Sequence, residues 1–238
     1  MAGHSKWKNI MHRKGKNDAQ KGKIFTKIGK EITMAVKAGG GDPSVNGRLK
    51  DLIAKAKSNN VPNDSIERTI KKALGSDDIN YEEITYEGYG PGGIAVIVEA
   101  TTDNRNRTGG DIRWYFDKNG GNMGATGCVS YMFGGKGVII IEKGNLSEDK
   151  VMEDALEAGA EDFSSEEGVF EILAAPGDFS SVRENLEELG YKFLSAEIEK
   201  IPDNYISVTD EEIKTKMEKL LDMLDDNDDV VNVWHNME

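Results

Sequence analysis

The chain has 238 residues, of which 37% are hydrophobic and 31% charged, and its net charge is −13, a balance that excludes a disordered chain. Its apolar runs, such as residues 138–141, have only strand length, whereas a membrane helix needs roughly 20 apolar residues. The single cysteine, Cys128, excludes an internal disulfide framework, and no apolar stretch follows the N-terminal lysines, so we expect a cytoplasmic protein with no membrane partner.

The first predicted helix covers residues 18–38, because apolar residues recur there at helical spacing. On a helical wheel they span an arc of about 120°, and lysines occupy the opposite arc. The apolar residues are Ile24, Phe25, Ile28, Ile32, Ala35 and Val36, and the lysines are Lys23, Lys27, Lys30 and Lys37. This helix therefore has one face for a core and one face for an anion.

Two further helices complete a small bundle at this end of the chain. The second is predicted at residues 45–58, and the third follows Pro62. Asp64 and Glu67 are placed as a capping-box-like pair at the start of the third helix. Residues 76–78 then form the predicted linker.

Beyond residue 78, predicted strands and helices alternate. The strands are 81–86, 94–100, 129–133, 137–142, 162–165, 169–173, 192–201, 205–208 and 230–234, and the helices are 103–118, 147–158, 179–189 and 209–224. Gly134-Gly135-Lys136 is predicted to turn the hairpin of strands 129–133 and 137–142. Thr209 and Glu212 are spaced as a capping box for the last helix.

The order of these elements predicts the fold class. Residues 129–201 give β-β-α-β-β-α-β, which is close to a ferredoxin-like unit with one leading strand. We predict a multidomain α+β protein, in which a three-helix bundle precedes two ferredoxin-like α/β sandwich domains, the last inserted into the second. The basic helical domain is 1–77, the discontinuous α/β domain is 78–128 plus 202–238, and the inserted domain is 129–201.

The charge of the chain is distributed unevenly. Residues 1–75 hold 17 basic and 6 acidic side chains, whereas residues 76–238 hold 13 basic and 37 acidic ones. Basic segments attract phosphate backbones by counterion release, and an acidic body repels them. The pattern predicts nucleic-acid contact at the N-terminal end, and the alternative is a lysine-rich helix face that is only solvated.

The motifs for other chemistry are weak. The glycine-rich run at residues 88–93 opens a strand and no helix, which favours a hairpin loop over a phosphate loop. His4, His12 and His235 lack metal-ligand spacing, so we expect no metal site. The local sequence suggests no catalytic triad. We expect no cofactor, no small-molecule substrate and no enzymatic activity.

Two clusters remain as candidates for binding nucleic acid. The first is the opening segment, in which Trp7 lies between two lysines and either stacks on a base or packs onto the bundle. The second lies at residues 101–108, where Arg105 and Arg107 either clamp phosphate at a helix start or form an arginine–carboxylate network between two domains. Both alternatives stay open for each cluster.

Three motifs in chain order resemble the YebC/PmpR family, which includes the mitochondrial translational activator of a cytochrome c oxidase subunit. They are residues 1–7 (MAGHSKW) with Lys16 and Asp18, residues 86–93 (YEGYGPGG), and residues 102–108 (TDNRNRT). The resemblance covers nearly the whole chain. It implies a cytoplasmic bacterial protein of three domains, whose relatives are labelled probable DNA-binding transcriptional regulators or are associated with the ribosome and translation, including at proline-rich stretches.

The resemblance and the charge pattern together predict a surface for nucleic acid. Its residues are Lys6, Trp7, Lys8, Arg13, Lys14, Lys16, Lys21, Lys23, Lys27 and Lys30, with Arg105 and Arg107 as weaker candidates. We expect a nucleic-acid-binding regulator of gene expression that docks through its basic N-terminal domain. One alternative is a ribosome-associated translation factor that contacts ribosomal RNA, and another is a protein-interaction adaptor.

Overall fold

The computed structural model describes residues 18–75 and 80–238, with side chains from residue 22 onward. In these residues the chain forms a mixed α+β fold with seven α-helices and two four-stranded antiparallel sheets. None of the helices there combines the length and the apolar character needed to span a membrane.

The helical region, residues 18–75, contains three α-helices. They are α1 (Asp18–Gly39), α2 (Gly47–Ser58) and α3 (Asn63–Leu74), as the apolar spacing predicted. Their core is built from Ile28, Ile32, Ala35, Val36, Leu49, Leu52, Ala56, Ile66 and Ala73. Asn46 fixes the α1–α2 turn, because its amide nitrogen donates to the carbonyls of Ala35 and Gly40 while its side-chain oxygen accepts from the Leu49 amide.

The first sheet has the strand order β3-β1-β2-β8. Its strands are β1 (Glu82–Tyr89), β2 (Ala95–Thr102), β3 (Asn122–Met123) and β8 (Val230–His235). Two helices cover one face, α4 (Arg105–Lys118) and α7 (Glu211–Asp226), and they bury Ile112 and Phe116 with Met217, Leu220 and Leu224.

The second sheet has the strand order β5-β6-β4-β7. Its strands are β4 (Phe133–Glu142), β5 (Asp162–Glu166), β6 (Val169–Ala174) and β7 (Phe193–Pro202). The helices α5 (Glu148–Glu157) and α6 (Phe179–Glu188) pack on one face. The chain leaves the first sheet after β3, completes this second sheet, and returns for α7 and β8.

The hairpin predicted at residues 129–142 is wrong, because Phe133–Glu142 is one continuous strand preceded by a short 3-10 turn. Gly134 and Gly137 pair in register with β7 and do not turn the chain. A Cβ atom at Gly137 would lie only 2.6 Å from the ring of Phe179, so this glycine admits α6 against the sheet. The element order of the second sheet is therefore β-α-β-β-α-β.

Three smaller predictions were also wrong. Residues 205–208 form no strand, and Ile206 makes only an isolated parallel bridge to Met237. The N-cap of α7 is Asp210, whose carboxylate accepts from the amides of Glu212 and Ile213, so Thr209 does not cap it. Helix α3 begins after Pro62 without a side-chain cap, so Asp64 does not close a capping box.

The first sheet departs from the ferredoxin-like order of elements. Its chain order is β1-β2-α4-β3 and then α7-β8, because a tight glycine-rich turn joins β1 directly to β2. The two sheets meet where the indole nitrogen of Trp234 donates to Glu199 at 2.6 Å and Lys200 pairs with Glu99 at 2.6 Å.

Candidate nucleic-acid interface

Three predicted site residues form a row along α1, which we call the lysine row: Lys23, Lys27 and Lys30. Their spacing of three and four residues places them on one helix face, as the sequence predicted. That face lies against residues 225–229, which comprise the last two residues of α7 and the connection to β8 and which we call the acidic turn. The lysine row is therefore occupied by another part of the same chain.

Each lysine of the row donates to a backbone carbonyl in the last turn of α7 or just beyond it. Lys23 donates to the carbonyl of Asp226 at 2.9 Å, and Lys27 donates to that of Asp225 at 2.6 Å. Lys30 donates to the carbonyl of Asp228 at 2.9 Å. The last carbonyls of a helix lack intrahelical partners and carry the negative end of its dipole, so they attract cations.

Carboxylates of the acidic turn add two ion pairs of different character. Lys23 pairs with Asp226 at 2.9 Å, and this aspartate side chain is 69% exposed. Lys30 pairs with Asp229 at 2.6 Å, and both side chains are nearly buried. An exposed pair contributes less than about 1 kcal/mol, whereas losing one partner of a buried pair leaves a charge without compensation.

Asp229 is the centre of a larger network. Its carboxylate accepts hydrogen bonds from Arg107 at 2.8 Å, Thr108 at 2.7 Å and Thr102 at 3.2 Å, in addition to Lys30. Burial alone would raise the pKa of Asp229, but the hydrogen bonds from Arg107, Lys30 and Thr108 hold it far below its usual value. The carboxylate is therefore charged and joins α1 to the first sheet.

The two arginines at the start of α4 differ in their partners. Arg107 pairs with Asp229 and also with Asp103 at 2.7 Å, and these bonds raise its pKa. Arg107 thus takes part in the arginine–carboxylate network, one of the two alternatives that the sequence left open. Arg105 is 67% exposed and approaches Glu82 at 3.8 Å, so it is more accessible to an external anion.

Helix α2 joins the helical region to the second sheet and to β1. The Asp51 carboxylate accepts from the Ser180 hydroxyl at 2.8 Å and from Arg183 at 3.2 Å. Lys50 pairs with Glu184 at 2.7 Å. Arg48 pairs with Glu83 at the start of β1.

Lys55 occupies a more buried position in the same junction. It lies between Glu31 of α1 at 3.1 Å and Glu197 of β7 at 3.3 Å. Burial opposes the charge of Lys55, yet the two carboxylates raise its pKa. Burial also raises the pKa of Glu31, because Lys55 compensates its charge only in part.

Sequence reasoning missed a set of exposed cations on α3. Arg68 and Lys71 lie on its exposed face, opposite the buried Ile66 and Ala73. Within residues 18–75 and 80–238, no carboxylate pairs with either of them. Their spacing of three residues was the available signal, because it sets both side chains on one helix face.

The glycine-rich run forms the turn between β1 and β2, as expected for a hairpin loop. Gly92 has a φ of 74°, and a Cβ atom there would lie 2.8 Å from Ile213, so the turn packs against α7. No helix N-terminus follows the run, because Ala95 begins β2. The turn therefore lacks the geometry of a phosphate loop.

The remaining sequence candidates have different outcomes. Lys6, Trp7, Lys8, Arg13, Lys14 and Lys16 lie outside the described residues, as does the side chain of Lys21. His235 is partly buried, and this desolvation lowers its pKa to about 4. Among the described residues, no group of three or more His, Cys, Asp or Glu side chains is arranged to hold a metal ion.

Comparison with known proteins defines the class of this molecule. Residues 5–76 match the family model described as the TACO1/YebC protein N-terminal domain, and residues 81–237 match that of the TACO1/YebC second and third domain. The chain therefore belongs to the TACO1/YebC family.

Individual relatives are similar over their full length. A probable transcriptional regulatory protein of Acetivibrio thermocellus is 62% identical, covering 99% of this chain and 98% of the relative. One from Clostridium botulinum is 59% identical, covering 100% and 97%. The crystal structure of a conserved hypothetical protein from Aquifex aeolicus superposes with a TM-score of 0.85 at 46% identity, covering 93% of this chain and 91% of that one.

Proposed function

We propose that the protein is a non-enzymatic, cytoplasmic regulator of gene expression that binds the phosphate backbone of nucleic acid through its basic N-terminal segment and helical region. The observation that supports this most is the segregation of charge, +11 over residues 1–75 and −24 over residues 76–238. Such a molecule attracts a polyanion at one end and repels it from the other. The names of its relatives as probable transcriptional regulatory proteins agree with this role.

The contact surface combines two groups of cations. The first is in the opening segment, where the assignment rests on the sequence alone. Its residues are Lys6, Lys8, Arg13, Lys14, Lys16 and Lys21. The second is the exposed face of α3 with Arg68 and Lys71. Both lie on the part of the chain that matches the N-terminal family domain. Cations of this kind position a nucleic acid without reading its bases.

The test is a salt titration of binding to a short fluorescent DNA duplex, followed by fluorescence anisotropy. We expect Arg68→Glu/Lys71→Glu to weaken binding by about tenfold or more at low salt, and to reduce the slope of log K against log salt by about 2. The matched control is Arg113→Glu/Lys192→Glu, which reverses the charge of two exposed cations on the acidic body.

Two outcomes would contradict the proposal. Failure of the wild-type protein to bind DNA duplex or RNA at low salt would rule out nucleic-acid binding as its function. Equal losses in the α3 variant and the control would show that binding depends on total charge and that the α3 face has no particular role.

Ribosomal RNA is a second candidate target, because contacts to a backbone fit structured RNA as well as duplex DNA. The strongly acidic body favours a single docked orientation on a large particle. Co-sedimentation with ribosomes in the presence of excess duplex DNA separates the two targets. Retention despite the DNA favours the ribosome, and loss to the DNA favours a chromosomal site.

We further propose a division into three domains at residues 1–77, 78–128 with 202–238, and 129–201. The second sheet supports a ferredoxin-like inserted domain, because its β-α-β-β-α-β order and its antiparallel strand order are those of that unit. Expression of residues 129–201 alone tests the division, since an independent domain unfolds cooperatively by itself.

A further inference from the structure

The helical region contacts the rest of the molecule without a shared apolar core. Five apolar clusters form among the described residues, and each lies wholly within residues 24–73 or wholly within residues 86–237. Polar interfaces between parts of one chain permit relative motion. Salt screens the exposed pairs of this interface, such as Lys23 with Asp226, whereas the nearly buried pair of Lys30 with Asp229 is screened much less. The helical region can therefore move away from the body without opening an apolar core.

The acidic turn presents oxygen atoms to the lysine row much as a nucleic-acid strand does. Each lysine of the row donates a hydrogen bond to a backbone carbonyl at 2.6–2.9 Å. Lys23 and Lys30 each donate to a carboxylate as well. The carboxylates of Asp226, Asp228 and Asp225 together raise the pKa of Lys23. Carbonyl and carboxylate oxygens that face lysines one helix turn apart occupy the positions that the oxygens of a phosphate backbone would take.

We propose that the acidic turn is an autoinhibitory contact that holds the lysine row in place of nucleic acid and is displaced when a polyanion binds. This inference rests on the proposed function and adds its regulation. Nucleic acid can contact the whole lysine row only in molecules whose acidic turn has moved away from it. The apparent affinity for nucleic acid is therefore the intrinsic affinity multiplied by the fraction of such molecules. Weakening the contact of the turn therefore strengthens nucleic-acid binding by more than the removal of two negative charges elsewhere on α7 does.

The variant Asp226→Asn/Asp228→Asn tests the contact with little risk to the fold, since both side chains are exposed and Asp229 is left intact. Its matched control is Glu218→Gln/Asp222→Asn, which removes two exposed carboxylates from the same helix, α7. We expect the turn variant to bind a short fluorescent DNA duplex about two- to fivefold more tightly than the control, the range set by loss of the exposed ion pair between Lys23 and Asp226. The difference should disappear at high salt.

Hydrogen–deuterium exchange of the wild-type protein gives a second readout that needs no variant. Duplex binding is expected to increase exchange at residues 224–230, because the acidic turn loses its lysine partners. Unchanged or slower exchange there overturns the inference, and so does an affinity of the turn variant equal to that of its control. Failure of all proteins to bind nucleic acid overturns the proposed function, and the inference falls with it.

Discussion

Helices α1 and α3 both carry basic residues, but they use them differently. The lysine row of α1 is in contact with the acidic turn, whereas Arg68 and Lys71 of α3 face solvent. Charge alone does not distinguish them, since both helices lie in the same basic end of the chain. The difference teaches that the surroundings of a basic residue show whether a partner can reach it directly or only after a contact within the same chain opens.

The largest effect is expected for Asp229→Ala, which removes the acceptor shared by Lys30, Arg107 and Thr108. We expect the free energy of unfolding to fall by about 3 kcal/mol, because a nearly buried lysine loses its partner. Urea denaturation measures it. The control is Asp228→Ala, whose exposed side chain predicts a change within about 0.5 kcal/mol.

The pH dependence of stability sharpens the same point. The folded-state pKa of Asp229 is depressed, so its contribution is complete above the unfolded pKa of about 3.9 and is lost as the pH falls below it. Wild-type protein should therefore lose more stability between pH 5 and pH 2 than Asp229→Asn does. If the free energy of unfolding changed with pH in the same way for both proteins, the network would not favour the charged form of the Asp229 carboxylate.

A smaller effect is expected for Lys23→Ala at the exposed end of the lysine row. Its pair with Asp226 is solvated, so the free energy of unfolding should fall by less than about 1 kcal/mol. The loss should vanish in high salt, which thermal melts at two ionic strengths would detect. A salt-independent loss would point to packing of the lysine stem as its cause.

The smallest effect on stability is expected for Arg68→Ala/Lys71→Ala. These side chains have no carboxylate partner within the described part of the chain, so the free energy of unfolding should change by no more than about 0.5 kcal/mol. Duplex binding should weaken in the same protein. A large loss of stability with unchanged binding would contradict the role assigned to the exposed face of α3.

Local patterns predicted the helices well, because their information lies within a few turns. The apolar spacing of residues 18–38 placed α1 to within a residue, and it set the lysine row on the correct arc. The partner of that arc could not be predicted, since the acidic turn follows about 200 residues later. The local sequence of α1 does not distinguish a lysine that binds an external phosphate from one that donates to a carbonyl of the same chain.

The incorrect hairpin had a different cause. Gly134-Gly135-Lys136 has turn composition, yet these residues continue a strand along β7. The glycine at position 137 is needed for close approach of Phe179, which comes from a helix more than 40 residues later. A glycine selected for packing and a glycine selected for turning look alike in sequence.

The position of β8 has a consequence for the order in which the molecule forms. Strand β2 is central in the first sheet, and one of its two neighbours comes from the last residues of the chain. The second sheet is contiguous from residue 133 to residue 202, so it closes earlier as the chain emerges from the ribosome. Until β8 arrives, the edge of β2 with Val96, Ile97 and Val98 lies open, and such an edge invites pairing with another chain. A message truncated near its end would therefore yield an aggregation-prone product in which the second sheet is already folded.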